Sequence, residues 1–397
     1  MNAPQDLHEH LAREADGFFR RGGTTLELDQ VLDRAGEIKR GRRMRATLLM
    51  AACVLAVAVP SVLVATRNSH VRPPVTPAKQ VKVDHTPLTL EGLERSNQPH
   101  DGYAVGGEFR VGNGSIGLSP GKGTVAAVAR VSGGVLVATR DESGDLTASY
   151  LNDQGGSSRE TWPMTGDFAV TPDGAAGAFV EPDGTPVLVR EADLRTLEPV
   201  PGGVTLSAAG VTGLDCTRPN VSGCTVWMND LGPQPAVWMA YAGGTTKKLD
   251  TDLRSVVDID DRQRMAGVSS VSDTGSCSTV GEIGNGTLWK TCKHSLLSFS
   301  PDSRHLLATS AYRDGAGDTE LAVLDSATGK PVLDLRTADG AFVTQMTWED
   351  DTHVLANTYE GGRWAVVRIS LDGRREYAVP PVAGNDYDGS PFVLPPR

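Results

Sequence analysis

The sequence is short of the residues that most chemistries need. No G-x-S-x-G elbow occurs, so an α/β-hydrolase nucleophile has no place to sit. Only 8 histidines are present, and His294, His305 and His353 are the only ones inside the repeats described below. None of them has metal-ligand spacing, and no C-x-x-C pair exists, which removes a zinc site. Basic residues are outnumbered: the formal net charge is -11, whereas nucleic-acid binding needs a basic face. Aromatics make up 5%, and with 45 glycines and 24 prolines the composition speaks for tight turns and little helix. Catalytic, cofactor-binding and metal-binding residues are therefore assigned to none.

One long apolar run stands out, Ala46 to Thr66, free of charge and bracketed by Arg45 and Arg67. At about 1.5 Å per helical residue it reaches roughly 30 Å, the thickness of a bilayer's hydrocarbon core. A cleaved signal peptide needs its apolar run near the start, but a long charged stretch precedes this one. Met50-Ala51-Ala52-Cys53 resembles a lipoprotein box, yet the apolar run continues past Cys53 instead of ending there. Pro60 is tolerated in a membrane helix. Residues 46–66 are thus expected to form a single transmembrane helix that contacts the lipid bilayer. Lys39, Arg40, Arg42, Arg43 and Arg45 crowd its N-terminal side, while Arg67, Arg72, Lys79 and Lys82 are spread along the other. That asymmetry places the N-terminus in the cytoplasm and the remainder outside.

The cysteines agree with this orientation. Cys53 lies in the apolar run; Cys216, Cys224, Cys277 and Cys292 all fall on the expected exterior. An even number in an oxidising compartment reads as disulfides. Proximity favours Cys216–Cys224 and Cys277–Cys292 among the three possible pairings.

Residues 1–45 carry two weak helical patterns, Leu7-Leu11-Ala15-Phe18 and Leu28-Val31-Leu32-Ala35-Ile38, divided by Gly22-Gly23-Thr24-Thr25. The tail is close to neutral, with nine basic and eight acidic residues. Membrane-bound anti-sigma factors have a comparable layout, but their His-and-Cys zinc motif is missing. Residues 67–101, with Pro73, Pro74, Pro77, Pro87 and Pro99, read as an extended linker. Residues 102–397 form the exterior domain.

That domain repeats. Val128, Val170, Leu214, Ile259, Phe299 and Trp348 each end an apolar run that leads into a polar turn and then a second apolar run. A period of about 40–45 residues with roughly four short strands per unit means β-propeller blades in an all-β domain. Pro172-Asp173-Gly174 and Pro301-Asp302-Ser303 are turn sequences, and Asp173, Asp183, Asp302, Asp325 and Asp372 are expected to shape turn backbone. His305 and His353 occupy equivalent hairpin positions. Another step of the period reaches Phe392 at the end of the chain. There an inner strand can join Tyr103-Ala-Val, Glu108-Phe-Arg-Val and Ser115-Ile-Gly-Leu in a composite blade that closes the ring. Seven blades are expected, with six as the alternative.

The stretch 295–336, S-F-S-P-D-S-R-H-L-L-A followed by L-A-V-L-D-S-A-T-G-K-P-V-L-D-L, resembles a blade of the WD40/TolB-like propellers. No Gly-His pair precedes it, and Leu324-Asp325 stands where WD40 blades have Trp-Asp. The wider layout is similar to membrane-anchored propellers of actinobacteria. The resemblance implies the fold and says little of function. Val323 to Lys330 resembles a quinoprotein motif once, without its tryptophan, and Ser300-Pro301-Asp302-Ser303 starts a sialidase box that then fails. Trp227, Trp238, Trp289 and Trp364 are expected to pack between blades.

The expected function is an extracytoplasmic binding module for a protein, peptide or cell-wall ligand, with no nucleic acid partner and no cofactor. Thr212–Cys224 and Val271–Cys292 are its expected recognition loops. The alternatives are an exported propeller enzyme with a site at the channel mouth, and a transmembrane sensor acting through residues 1–45.

Overall fold

The computed structural model describes residues 87–397 apart from 119–122, 155–156, 192, 214–222 and 313–316, and the side chains of 157–160. The chain divides into two compact units, residues 1–76 and 77–397. The first lies wholly outside the described residues, as do the expected tail helices, the apolar run 46–66 and linker residues 67–86. Among the described residues no helix is long and apolar enough to cross a membrane.

Every regular element described is a β-strand. β1 (Tyr103–Val105), β2 (Glu108–Val111) and β3 (Gly114–Gly117) open the domain. Next come β4 (Thr124–Val131), β5 (Gly134–Arg140), β6 (Leu146–Asn152), β7 (Ser157–Val170), β8 (Gly177–Val180), β9 (Pro186–Arg190) and β10 (Asp193–Thr196). Then follow β11 (Leu206–Thr212), β12 (Thr225–Asp230), β13 (Val237–Tyr241) and β14 (Thr246–Lys248). β15 (Ser255–Ile259), β16 (Arg264–Ser272), β17 (Gly275–Glu282) and β18 (Gly286–Thr291) form the next group. The last full groups are β19 (His294–Phe299), β20 (His305–Ser310), β21 (Glu320–Asp325), β22 (Pro331–Arg336), and β23 (Phe342–Trp348), β24 (His353–Glu360), β25 (Arg363–Ser370), β26 (Arg375–Ala383). β27 (Phe392–Val393) ends the series.

Five of the sheets are separate four-stranded antiparallel blades: β11–β14, β15–β18, β19–β22, β23–β26, and a composite in the order β27-β1-β2-β3. The composite is the closure expected from the position of Phe392. The expectation of seven separate blades, or six, is corrected: β4 to β10 form one seven-stranded sheet. The cause is β7, which runs unbroken for 14 residues. Its first half pairs with β6 and its last residues with β8, with the register shifting between Thr165 and Ala169. Gly166 makes that bend, at φ 66°. An added Cβ there would lie 2.1 Å from Ser207 Oγ, so glycine is needed for space as well as conformation. No turn sequence separates the two repeats at this point, and the strand simply passes from one to the next.

Blades pack face to face, which buries their middle strands on both sides. Val135 to Ala138 in β5 and Trp364 to Val367 in β25 are 0–1% exposed. Such strands read as continuous apolar runs and show no alternation. Trp364 and Trp227 are buried, and Trp289 donates to Ser326 O at 2.9 Å in the next blade. The turn aspartates act as expected: Asp173, Asp183, Asp302, Asp325 and Asp372 each accept a backbone N–H two or three residues on. His305 and His353 begin the second strands of neighbouring blades.

Candidate functional site: the axial channel

The repeat anchors are the ends of the innermost strands. Val170, Ile259, Phe299 and Trp348 terminate β7, β15, β19 and β23, and Val128 lies in β4; Leu214 is outside the described residues. These strands, with β11 and residues 394–397, surround an axial cavity of about 450 Å³.

Five of the innermost strands each carry one extra residue that has no partner in the next strand. It is Ala126 in β4, Ala209 in β11, Val257 in β15, Leu297 in β19 and Thr344 in β23. Such bulges bend a strand and re-aim its side chains. Ala126, Ala209, Val257 and Leu297 all line the channel, giving it an apolar waist. The residue types carry no warning of this, since small and branched apolar side chains occur throughout the inner strands.

An innermost strand has a free backbone edge facing the axis, and side chains from the neighbouring blade satisfy it. The Asn229 amide donates to Val256 O at 2.7 Å and accepts from Val256 N at 2.8 Å. The Gln345 amide does the same to Leu394, at 2.6 and 2.8 Å. Trp348 Nε1 donates to Ser298 O at 3.1 Å.

Asp258 holds the corresponding place between β15 and β19 with a carboxyl. Its Oδ2 accepts the Phe299 N–H and its Oδ1 the Ile259 N–H, both at 2.7 Å. Asp258 lines the channel, and among the described residues no cation pairs with it. Enclosure within the ring pushes its pKa up to about 7, against the pull of the two N–H groups; Asp260 and Asp261 push the same way more weakly. Nothing in the sequence marks this residue, because one Asp in an apolar strand, V-V-D-I, carries no motif.

Asp260, two residues on, is of a different kind. It forms a buried pair with Arg264 at 2.7 Å, and that guanidinium also donates to Ser326 Oγ at 3.0 Å and to Ser303 O. Asp261, an exposed residue of the turn after β15, is raised by partial desolvation and by the nearby Asp173 and Asp260. Among the described residues, no three His, Cys, Asp or Glu side chains gather as metal ligands would.

The predicted cysteines separate. Cys277 and Cys292 form a disulfide across the β17–β18 ladder, with Cα atoms 4.1 Å apart. Cys224 is buried and disulfide-bonded, and Cys216 lies outside the described residues. Of the two expected recognition loops, Val271–Cys292 is the end of β16 followed by β17 and β18, with one turn at each end of the blade, and residues 214–222 of Thr212–Cys224 lie outside the described residues.

The strand order and the composite closure define the class: the chain is a β-propeller. The β-propeller domain of Cps50 (Swd1) from Myceliophteria thermophila is similar at TM-score 0.47 and 10% identity, over 66% of this chain and 88% of that one. The β-propeller domain of the Trilobed protease from Pyrococcus furiosus, described as having an open velcro topology, gives TM-score 0.44 and 11% identity over 66% and 86%. The Dos1 propeller gives 0.44 and 11% over 64% and 69%. These likenesses concern the fold alone. No family model and no curated protein matches the chain.

Proposed function

We propose that the chain is a single-pass membrane protein that holds a β-propeller outside the cell membrane as a binding module for a protein, peptide or cell-wall ligand. The membrane part of this reading rests on residues 46–66 and their basic N-terminal flank. The binding part rests on one observation: the axial channel holds a carboxyl, Asp258, that has no cationic partner among the described residues, above an apolar waist. A concave, mostly apolar site with a few placed polar groups is the usual form of a ligand pocket. A group that enters the channel can bring Asp258 a countercharge or a hydrogen-bond donor.

Proximity labelling in cells, with the labelling enzyme placed in turn at each end of the chain, tests topology and capture together. The C-terminal tag is expected to mark extracytoplasmic proteins, and Ala126→Phe, which fills the waist, is expected to abolish the enrichment. Cytoplasmic labelling from the C-terminus would refute the topology. Enrichment unaffected by Ala126→Phe would refute the channel as the binding site.

A further inference from the structure

The strand that closes the ring is very short. β27 contributes only two pairs to β1, Ala104 with Val393 and Val105 with Phe392. Such a short ladder is weak by itself. The chain just before β1 supplies much more. Residues 87–101, read from sequence as the end of a linker, lie along the outside of two blades and pair with both.

At one end Leu88 forms a parallel bridge along the edge of β22: its N–H donates to Arg336 O at 2.6 Å, and Ala338 N donates to Leu88 O at 2.9 Å. Leu88 and Leu90 are 0% and 1% exposed, in the same apolar cluster as Leu333, Val354 and Val367. Glu360 accepts from Thr89 Oγ1 at 2.9 Å and from Leu90 N at 2.5 Å. The Tyr377 hydroxyl donates to Leu90 O. Farther along, Tyr377 N donates to Glu94 O at 2.8 Å and Ser96 N to Tyr377 O at 2.9 Å, a second parallel bridge, on β26.

The segment then reaches a buried ion pair. Arg368 binds both oxygens of Glu349 and also donates to Ser96 Oγ at 2.8 Å and Glu376 at 2.9 Å. Glu349 Oε1 accepts the His100 N–H at 2.9 Å. Arg397, beyond β27, pairs with Asp101 at 2.9 Å and donates to Glu349 O. Glu349 is therefore touched by the segment before β1, by β25 and by the residues after β27. Release of the segment before β1 strips His100 N–H from the Glu349 carboxylate, and release of the residues after β27 strips Arg397 from the main-chain carbonyl of the same residue.

We propose that residues 87–101 are a clasp that shuts the ring together with β27, the two seating and releasing as one cooperative unit. The blades β19–β22 and β23–β26 serve as its anchor. Tension arriving from the N-terminal side of Pro87 meets the Leu88 and Arg95 bridges along their length before it reaches β1.

Amide hydrogen exchange on the full-length chain tests it. In Leu88→Ala/Leu90→Ala, exchange in β1 and β27 is expected to rise at least tenfold together with that of Leu88, Ser96 and Tyr377, while β12 and β20 keep their protection. Phe392→Ala should produce the reciprocal result, freeing the clasp amides. Faster exchange confined to residues 87–101 would overturn the proposal, because the clasp would then be an independent attachment. A uniform rise in every sheet would also overturn it. Should the double variant fail to fold, Tyr377→Phe/Glu360→Gln removes only polar clasp contacts and is read the same way.

Discussion

Replacing Asp258 with asparagine removes a titrating group from the channel and keeps its shape. In the folded ring the carboxyl titrates near 7, against an ordinary value of 3.8. Between about pH 4 and 7 the folded state therefore binds a proton more firmly than the unfolded state does. The stability that Asp258 contributes is complete below about pH 4, declines as pH rises, and is gone above about 7. At 1.36 kcal/mol per pKa unit the whole effect is on the order of 4 kcal/mol. Asparagine can accept only one of the two N–H groups held by Asp258, a pH-independent loss of about 1 kcal/mol. Urea unfolding of both proteins from about pH 4.5 to about 8 separates the two contributions. Across that interval Asp258→Asn should gain about 3 kcal/mol relative to the parent protein. Asp261 and Glu181, also raised by burial, remain in both proteins and cancel in the difference. Asp350, Asp372 and Glu376, lowered from their ordinary values by hydrogen bonds and neighbouring cations, are likewise shared by both proteins and cancel. Parallel curves for the two proteins would refute the claim that this carboxyl is desolvated in the channel.

Three further substitutions probe the frame around the channel. Arg368→Met leaves Glu349 buried at 5% exposure with its charge uncompensated, and should cost about 3–5 kcal/mol in urea unfolding; Arg368→Met/Glu349→Met should recover at least half of it. Cys277→Ser/Cys292→Ser opens a loop of sequence separation 15 and should cost at most about 3 kcal/mol. The β17–β18 ladder, which pairs Ser278 with Thr291, already restrains that loop, and an unshifted urea midpoint would mean that the ladder alone suffices. Gly166→Ala must adopt a left-handed conformation and approach Ser207 Cα to 2.9 Å, so a loss of at least about 2 kcal/mol is expected by thermal unfolding.

Much of the architecture was legible in the chain, for identifiable reasons. A blade cannot bury its faces alone, so each repeat must present a continuous apolar strand followed by a turn, and that pattern survives in V-T-P-D-G and F-S-P-D-S. The turn aspartates were readable because an Asx turn is local: donor and acceptor lie two or three residues apart. Phe392 marked the closure through its distance from Trp348. The fusion through β7 was hidden, since a strand that continues and a strand that stops between repeats have similar composition. The clasp was hidden too. Pro87 and Pro99 speak for an extended backbone, which residues 87–101 adopt only on either side of a turn at Glu91-Gly92, but nothing local tells a free segment from one laid along β22 and β26.

The channel shows the same division most sharply. By itself the sequence determined an acidic, turn-rich, all-β ring built from repeats, because periodicity and turn chemistry are short-range properties. It also determined the cysteine pair Cys277 and Cys292 as candidates for bonding. Only the tertiary structure decided that Asp258 stands on the axis with two N–H partners and no cation among the described residues. Desolvation depends on which strands surround a side chain, and those strands lie tens of residues away. The same holds for Glu349, whose carboxylate is met by His100 before β1 and Arg368 in β25, and whose main-chain carbonyl is met by Arg397 after β27.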